Sequence, residues 1–147
     1  MKYLNKPVGY LTISDFDQNG TLINPDIPKD KIVIIMIQAN FCGYCTQAKP
    51  DFQELAKNKN VIALTIQGDG TEKGEKELSD ILNKIDPTFR GFPSYVAYKN
   101  GKYIKSHNGG RSTKDLEMFA KSLNWKLFLY FYILIIWLKI FLTIKEL

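Results

Sequence analysis

The chain has 147 residues, 45% of them hydrophobic and 24% charged, with a net charge of +5, two cysteines and one histidine. Two cysteines and one histidine cannot complete a four-ligand structural zinc site in a monomer, and two cysteines are too few for a disulfide-rich secreted scaffold. The 18 lysines and two arginines form no dense cluster, which argues against a nucleic-acid binder.

The hydrophobicity is unevenly spread. Residues 125–147 include 18 apolar or aromatic residues and both tryptophans. The chain therefore reads as a domain over residues 1–124, long enough to bury its own core, followed by a hydrophobic tail over residues 125–147. The segment Met1–Gly9 has no apolar run of the kind a secretory signal carries. A reducing compartment is thus expected, where a close cysteine pair is catalytic or metal-binding rather than structural.

Taken in order, Gly9 to Asp17 alternates apolar and polar residues, and Asn19-Gly20 precedes Thr21-Leu22-Ile23, a pattern that predicts a β-hairpin with a type I′ turn. Asp15, Asp17, Asn19 and Gly20 also resemble the first half of a calcium-binding loop. Asp26 at its twelfth position and Pro25 within it favour the turn. Lys31 to Ala39 is a β-branched run typical of a strand buried on both faces. A helix follows from Cys42 to about Lys59, with Ala48, Phe52, Leu55 and Ala56 at helical spacing. Val61 to Gln67 reads as a second buried strand, and Thr71 to Ile85 as a helix. Tyr95–Tyr98 and Tyr103–Ser106 flank Asn100-Gly101 as a second hairpin. Ser112, with Asp115 three residues on, caps a last helix through Leu123. Strands alternating with helices, then a hairpin, imply an α/β fold with a central mixed sheet flanked by helices.

The informative segment is Asn40-Phe41-Cys42-Gly43-Tyr44-Cys45. A buried strand ends and a helix opens on Cys42, so the helix N-terminus is placed to favour a thiolate there. Cys45, one turn on, can attack a mixed disulfide at Cys42 and release the substrate.

This segment resembles the thioredoxin superfamily. Pro50 stands where that family carries a helix-kinking proline, and Arg90-Gly91-Phe92-Pro93-Ser94 with the later Lys99-Asn100-Gly101 is similar to a second family motif. The resemblance covers about Gly9 to Leu123. It implies a thioredoxin fold, a cis peptide before Pro93, and a substrate groove to which Phe41, Gly43, Tyr44, Phe92, Pro93 and Gly109 contribute. It also implies a thiol–disulfide oxidoreductase with Cys42 as nucleophile and Cys45 as resolving thiol. Its substrates would be protein disulfides, and its electrons would come from an external reductase or glutathione system, with no bound cofactor and no metal. Thiol oxidase or isomerase activity, a metal shared between two chains, and a redox-inactive tethered binding module are the alternatives. The lysine-rich usage and the Phe41–Cys45 segment also resemble thioredoxin-like proteins of large DNA viruses.

Departures from the family pattern carry expectations too. Phe41 replaces the usual tryptophan, Tyr44 a proline, and Thr46 a basic residue. Met36 stands where thioredoxins bury an aspartate that helps deprotonate the second cysteine, and Ala63 stands where its lysine partner is found. Both members of one buried ion pair are missing together, which avoids stranding a lone charge. Cys45 is accordingly expected to resolve mixed disulfides slowly. The single histidine, His107, is expected to have no catalytic role.

Leu127 to Ile144 is eighteen residues interrupted only by Lys139 and Thr143. As a helix it would reach about 27 Å, just adequate for a bilayer core. Lys114, Lys121 and Lys126 precede it and Lys145 and Glu146 follow. The positive-inside bias predicts a membrane anchor with the domain facing the cytosol. A soluble cytosolic or virion-associated protein is the alternative.

Overall fold

The computed structural model describes residues 3–147, without the side chains of residues 125–128. Its strands are β1 (Gly9–Tyr10), β2 (Ile32–Gln38), β3 (Val61–Gln67), β4 (Ser94–Lys99) and β5 (Lys102–Ser106). They form one sheet in the order β1-β3-β2-β4-β5. β1 and β2 run parallel to β3, whereas β4 is antiparallel to β2 and to β5. This is the mixed sheet of a thioredoxin fold.

Helix α1 (Gly43–Leu55) and the start of α3 (Thr113–Lys145) cover one face of the sheet, and α2 (Leu82–Ile85) with the 3₁₀ turn before it covers the other. Because successive strand residues point to opposite faces, β2 supplies both layers. Ile32, Ile34 and Met36 pack with Phe52, Leu55, Leu116 and Phe119, while Val33, Ile35 and Ile37 pack with Leu78, Leu82 and Ile85. Every residue of β2 is buried, as its unbroken apolar run requires.

The first hairpin is not as expected. The strand stops at Tyr10, and Ile13–Asp15 turns as a 3₁₀ helix because the Asp15 carboxylate accepts the Thr12 N–H at 2.7 Å. Around Asn19-Gly20 only Gly20 has a positive φ, so no type I′ turn forms there. The Asp17 carboxylate instead accepts the N–H groups of Asn19 and Thr21, closing an Asx turn beneath a single Phe16–Leu22 bridge. The two carboxylates of the half calcium loop are thus occupied, Asp15 by the Thr12 N–H and the Asn24 side-chain amide and Asp17 by the Asn19 and Thr21 N–H groups. Asn100 and Gly101 both take positive φ, and the type I′ turn lies there, between β4 and β5.

The expected Thr71–Ile85 helix is also broken. Gly74 takes a φ of +89°, Lys76–Ile81 is 3₁₀, and only Leu82–Ile85 is α-helical. Leu78, Leu82 and Ile85 still reach the core. The helix expected to reach Lys59 ends at Leu55, where the Asn58 N–H bonds the Leu55 carbonyl and the Asn58 side chain accepts the Asn60 N–H. At the other end, Ser112 caps α3 by accepting the Asp115 N–H at 3.1 Å, and no glycine or proline interrupts the helix before Lys145.

Tyr98 ties three segments together. Its buried hydroxyl lies 2.7 Å from the Ile85 carbonyl and 2.9 Å from that of Gly20, donating between them. A Tyr98→Phe variant is expected to lose about 1–2 kcal/mol, because buried acceptors lose their donor. Urea unfolding checks this, with a lower midpoint and an unchanged slope as the expected result.

Candidate active site

Cys42 is the N-cap of α1, placed there by the end of β2 and the turn through Ala39, whose carbonyl accepts the Cys42 N–H. The Cys42 sulfur accepts the Cys45 N–H at 3.1 Å, so an unpaired donor of the first helical turn points at it. On its other side, Cys42 Sγ lies 3.5 Å from the Phe92 carbonyl oxygen. The Phe92–Pro93 peptide is cis. Two segments fifty residues apart in sequence thus meet at one sulfur.

The two sulfurs differ in access. Cys42 is 9% exposed and Cys45 is fully buried. Burial, helped by its hydrogen bond with Cys42, pushes the Cys45 thiol up to about 12, against the Ala39 backbone and the Lys49 charge. Of the two, only Cys42 has any solvent access. Met36 and Ala63 lie in the same apolar cluster as both cysteines, so no carboxylate stands at either position to help.

The structure separates the expected groove residues. Phe41 and Tyr44 are 75% and 67% exposed and flank the cysteines as an aromatic rim. The Arg111 guanidinium sits 5.4 Å from the Tyr44 ring centroid. Phe92 is half-buried, its ring edge-on to Phe41 at 5.7 Å and to Phe89 at 5.3 Å. That ring lies so close over Gly68 that an added Cβ would meet it at 2.5 Å. Gly43 is open, with no atom near where its Cβ would be. Gly109 belongs to the loop before α3, where an added Cβ would fall 2.8 Å from the His107 ring. His107 itself bonds the Gly110 carbonyl at 2.7 Å and packs on Phe119, which straps the loop to α3.

Two residues beside the cysteines escaped the sequence reading. Asp69, after β3, accepts the N–H of Asn40 at 2.9 Å, that of Phe41 at 3.4 Å and the Gln67 side-chain amide at 2.7 Å. Burial raises its pKa, but these donors outweigh burial and hold the carboxyl below the usual carboxylate range. A folded-state pKa below the unfolded value stabilises the fold above about pH 4, and the contribution is lost as pH falls through the folded value. Asp69→Asn is thus expected to flatten the acid side of the stability profile, measured as the urea midpoint against pH. The second residue, Lys49, is fully buried one turn beyond Cys45, its ammonium donating to the Asn40 side-chain carbonyl at 3.4 Å. Its position four residues after Cys45 and three before Phe52 marks it as core-facing.

Comparison with known proteins agrees with this geometry. The sequence model of the family described as Thioredoxin matches residues 12–122. A thioredoxin-like protein of Invertebrate iridescent virus 6 is 56% identical over 117 residues, spanning 71% of this chain and 84% of the relative. A protein disulfide-isomerase of Schizosaccharomyces pombe is 31% identical over 101 residues, which is 67% of this chain but only 19% of that protein. Among solved structures, human ERp44 superposes with a TM-score of 0.58 at 17% identity, covering 82% of this chain and 31% of its own, a likeness of fold alone. Since the matched span holds the cysteine pair, the Phe92–Pro93 loop and the whole sheet beyond β1, this chain belongs to the thioredoxin family.

Proposed function

We propose that the chain is a thiol–disulfide oxidoreductase that reduces protein disulfides through Cys42 and Cys45, held at a membrane by residues 127–144. The observation that carries this reading is the Cys42 sulfur at the N-cap of α1, receiving the Cys45 N–H and facing the Phe92 carbonyl. Helix-end donors stabilise a thiolate, and an adjoining carbonyl beside Pro93 offers an acceptor for an extended substrate segment. The exposed Phe41 and Tyr44 rings supply apolar contact for an unfolded or extended protein.

The cycle follows from access. The Cys42 thiolate attacks a substrate disulfide, one substrate sulfur leaves as a thiol, and a mixed disulfide forms at Cys42. Cys45 then attacks Cys42 Sγ, releasing the second substrate thiol and leaving a Cys42–Cys45 disulfide. An external dithiol or glutathione system restores the pair. The test is reduction of insulin disulfides by the full chain in detergent micelles. Turnover is expected for the native sequence and loss to the uncatalysed rate for Cys42→Ser. Equal activity of the two would overturn the proposal. No turnover by either would leave a binding module.

A further inference from the structure

Lys49 carries its charge inside the protein. A lysine is almost never fully buried unless its charge is put to use or paired, because taking an ammonium out of water costs several kcal/mol. Here it is fully buried on α1, one turn beyond the fully buried Cys45 and on the same helix face. Its ammonium reaches back to the side-chain carbonyl of Asn40, two residues before Cys42, which places the charge at the strand–helix junction that holds both sulfurs. A polar network continues from there, since the Asn40 backbone N–H and the Gln67 side-chain amide both donate to the Asp69 carboxylate, and the buried Gln38 amide donates to the Gln67 side-chain carbonyl. Burial drives the Lys49 pKa down, while the nearby Cys45, Asp69 and Cys42 groups pull it up.

We propose that Lys49 is a positioning residue for the resolving step, its buried ammonium acting as the counter-ion of the Cys45 thiolate while that sulfur attacks the mixed disulfide at Cys42. This inference rests on the oxidoreductase reading above. A Cys45 thiol in a dry site offers very little thiolate, and Met36 supplies no carboxylate to draw off its proton. A cation on the next turn does the equivalent work from the other side of the equilibrium, by lowering the energy of the anion rather than by accepting the proton. The step balances without another reactant. Cys45 loses its proton and its sulfur attacks Cys42 Sγ. The Cys42–Cys45 bond forms as the bond from Cys42 to the substrate sulfur breaks, and the departing substrate thiolate takes up a proton. Over the two attacks together the cysteine pair is oxidised by two electrons and the substrate disulfide reduced by two.

Among the described residues, charged and titratable groups act on the pair from several sides. Cys42 and Lys49 act on Cys45 from α1 and its cap, and Tyr95 faces Cys45 from β4 with its own hydroxyl buried. Asp69 acts on Lys49 from the loop after β3, and Arg111, before α3, acts on Tyr95. Among these, Lys49 is the group that lowers the Cys45 pKa through its charge.

The experiment uses the full chain in detergent micelles and two readouts. The first is the rate of release of a preformed Cys42 mixed disulfide as a function of pH. The second is the pH titration of Cys45 in a Cys42→Ser background, followed by the NMR shift of isotopically labelled cysteine Cβ, which needs no turnover. Lys49→Met is expected to slow release about tenfold at neutral pH and to move the Cys45 titration further up. Lys49→Arg keeps a cation and is expected to restore both in large part. The melting temperature of Lys49→Met is read beside both, since methionine removes the donor to the Asn40 carbonyl. If it melts lower, Asn40→Asp puts an opposing charge beside the ammonium without a volume change and is expected to move both readouts the same way by less. Unchanged titration and release in Lys49→Met, or in Asn40→Asp where that variant is needed, overturns the inference while leaving the oxidoreductase standing. A native chain that never forms or releases the mixed disulfide overturns the oxidoreductase itself.

Discussion

A Cys45→Ser variant is expected to convert a turning-over reductant into a stoichiometric trap. Cys42 keeps its place in that variant, because the contact it receives comes from the backbone N–H of residue 45 and its other neighbour is the Phe92 carbonyl. The first attack on a substrate disulfide therefore proceeds. The second does not, since a serine hydroxyl is not ionised at any ordinary pH and a thiolate is needed to break the mixed disulfide. Release then waits for external thiol. A positioned intramolecular thiol acts at an effective concentration far above millimolar reagents, so multiple turnover at millimolar external thiol is expected to fall by at least about 1,000-fold. Non-reducing gels of full chain mixed with a disulfide-bonded client read the trap as a covalent adduct that dithiothreitol removes. Cys42→Ser gives the opposite pattern and no adduct, because the remaining sulfur is fully buried. An adduct of equal yield through Cys45 would reverse the assignment of nucleophile and resolver.

The same asymmetry shows which parts of the molecule were legible in its sequence. Strand β3 begins and ends where its apolar run does, and β2 is marked by β-branched residues that must be buried on both faces. The cysteine pair was legible because i, i+3 spacing at a strand-to-helix junction is a geometric statement in itself. The failures lie where short-range hydrogen bonds compete with periodicity. Thr12 and Asp15 close a turn inside an alternating stretch, and Gly74 breaks a helical one. Both Asn-Gly pairs read as hairpins, yet Asn100 takes a positive φ and Asn19 does not, because the Asp17 side chain offers Asn19 and Thr21 another bonding pattern. Lys49 escaped for a different reason. A lysine in an amphipathic helix is assigned to the solvent face by residue type, and only its register with Cys45 and Phe52 contradicts that. Asp69 was illegible altogether, since its partners Asn40 and Phe41 lie far from it in sequence and contribute backbone groups.

Removing everything after Asn124 is expected to release the protein from membranes completely. Among the described residues, one helix is long and apolar enough by length and composition to cross a bilayer, and it is the one that also closes the domain. Its two parts face different surroundings. Leu116, Phe119, Ala120 and Leu123 are buried against the sheet and α1, whereas from Leu129 to Ile144 the apolar side chains are exposed on every side of the helix. A cut after Asn124 keeps these four buried residues and removes the exposed segment from Leu129 to Ile144, so it separates location from folding. On the energetic side, the thirteen Leu, Ile and Phe residues of 127–144 contribute about −0.3 to −0.6 kcal/mol each, and Lys139 costs roughly 2–3 kcal/mol before its stem lets the charge reach the interface. The sum favours insertion. The full chain is expected to pellet with membranes through alkaline carbonate extraction and to need detergent for release, while residues 1–124 stay in the supernatant with insulin-reducing activity intact. Protease added to the cytosolic side is expected to digest the domain, because Lys114, Lys121 and Lys126 flank the segment on the side that the positive-inside bias retains there. Recovery of the full chain in the carbonate supernatant would remove the anchor. Protection of the domain from protease in sealed vesicles would invert its orientation and place the Cys42–Cys45 pair in an oxidising compartment, where the same dithiol chemistry runs toward disulfide formation.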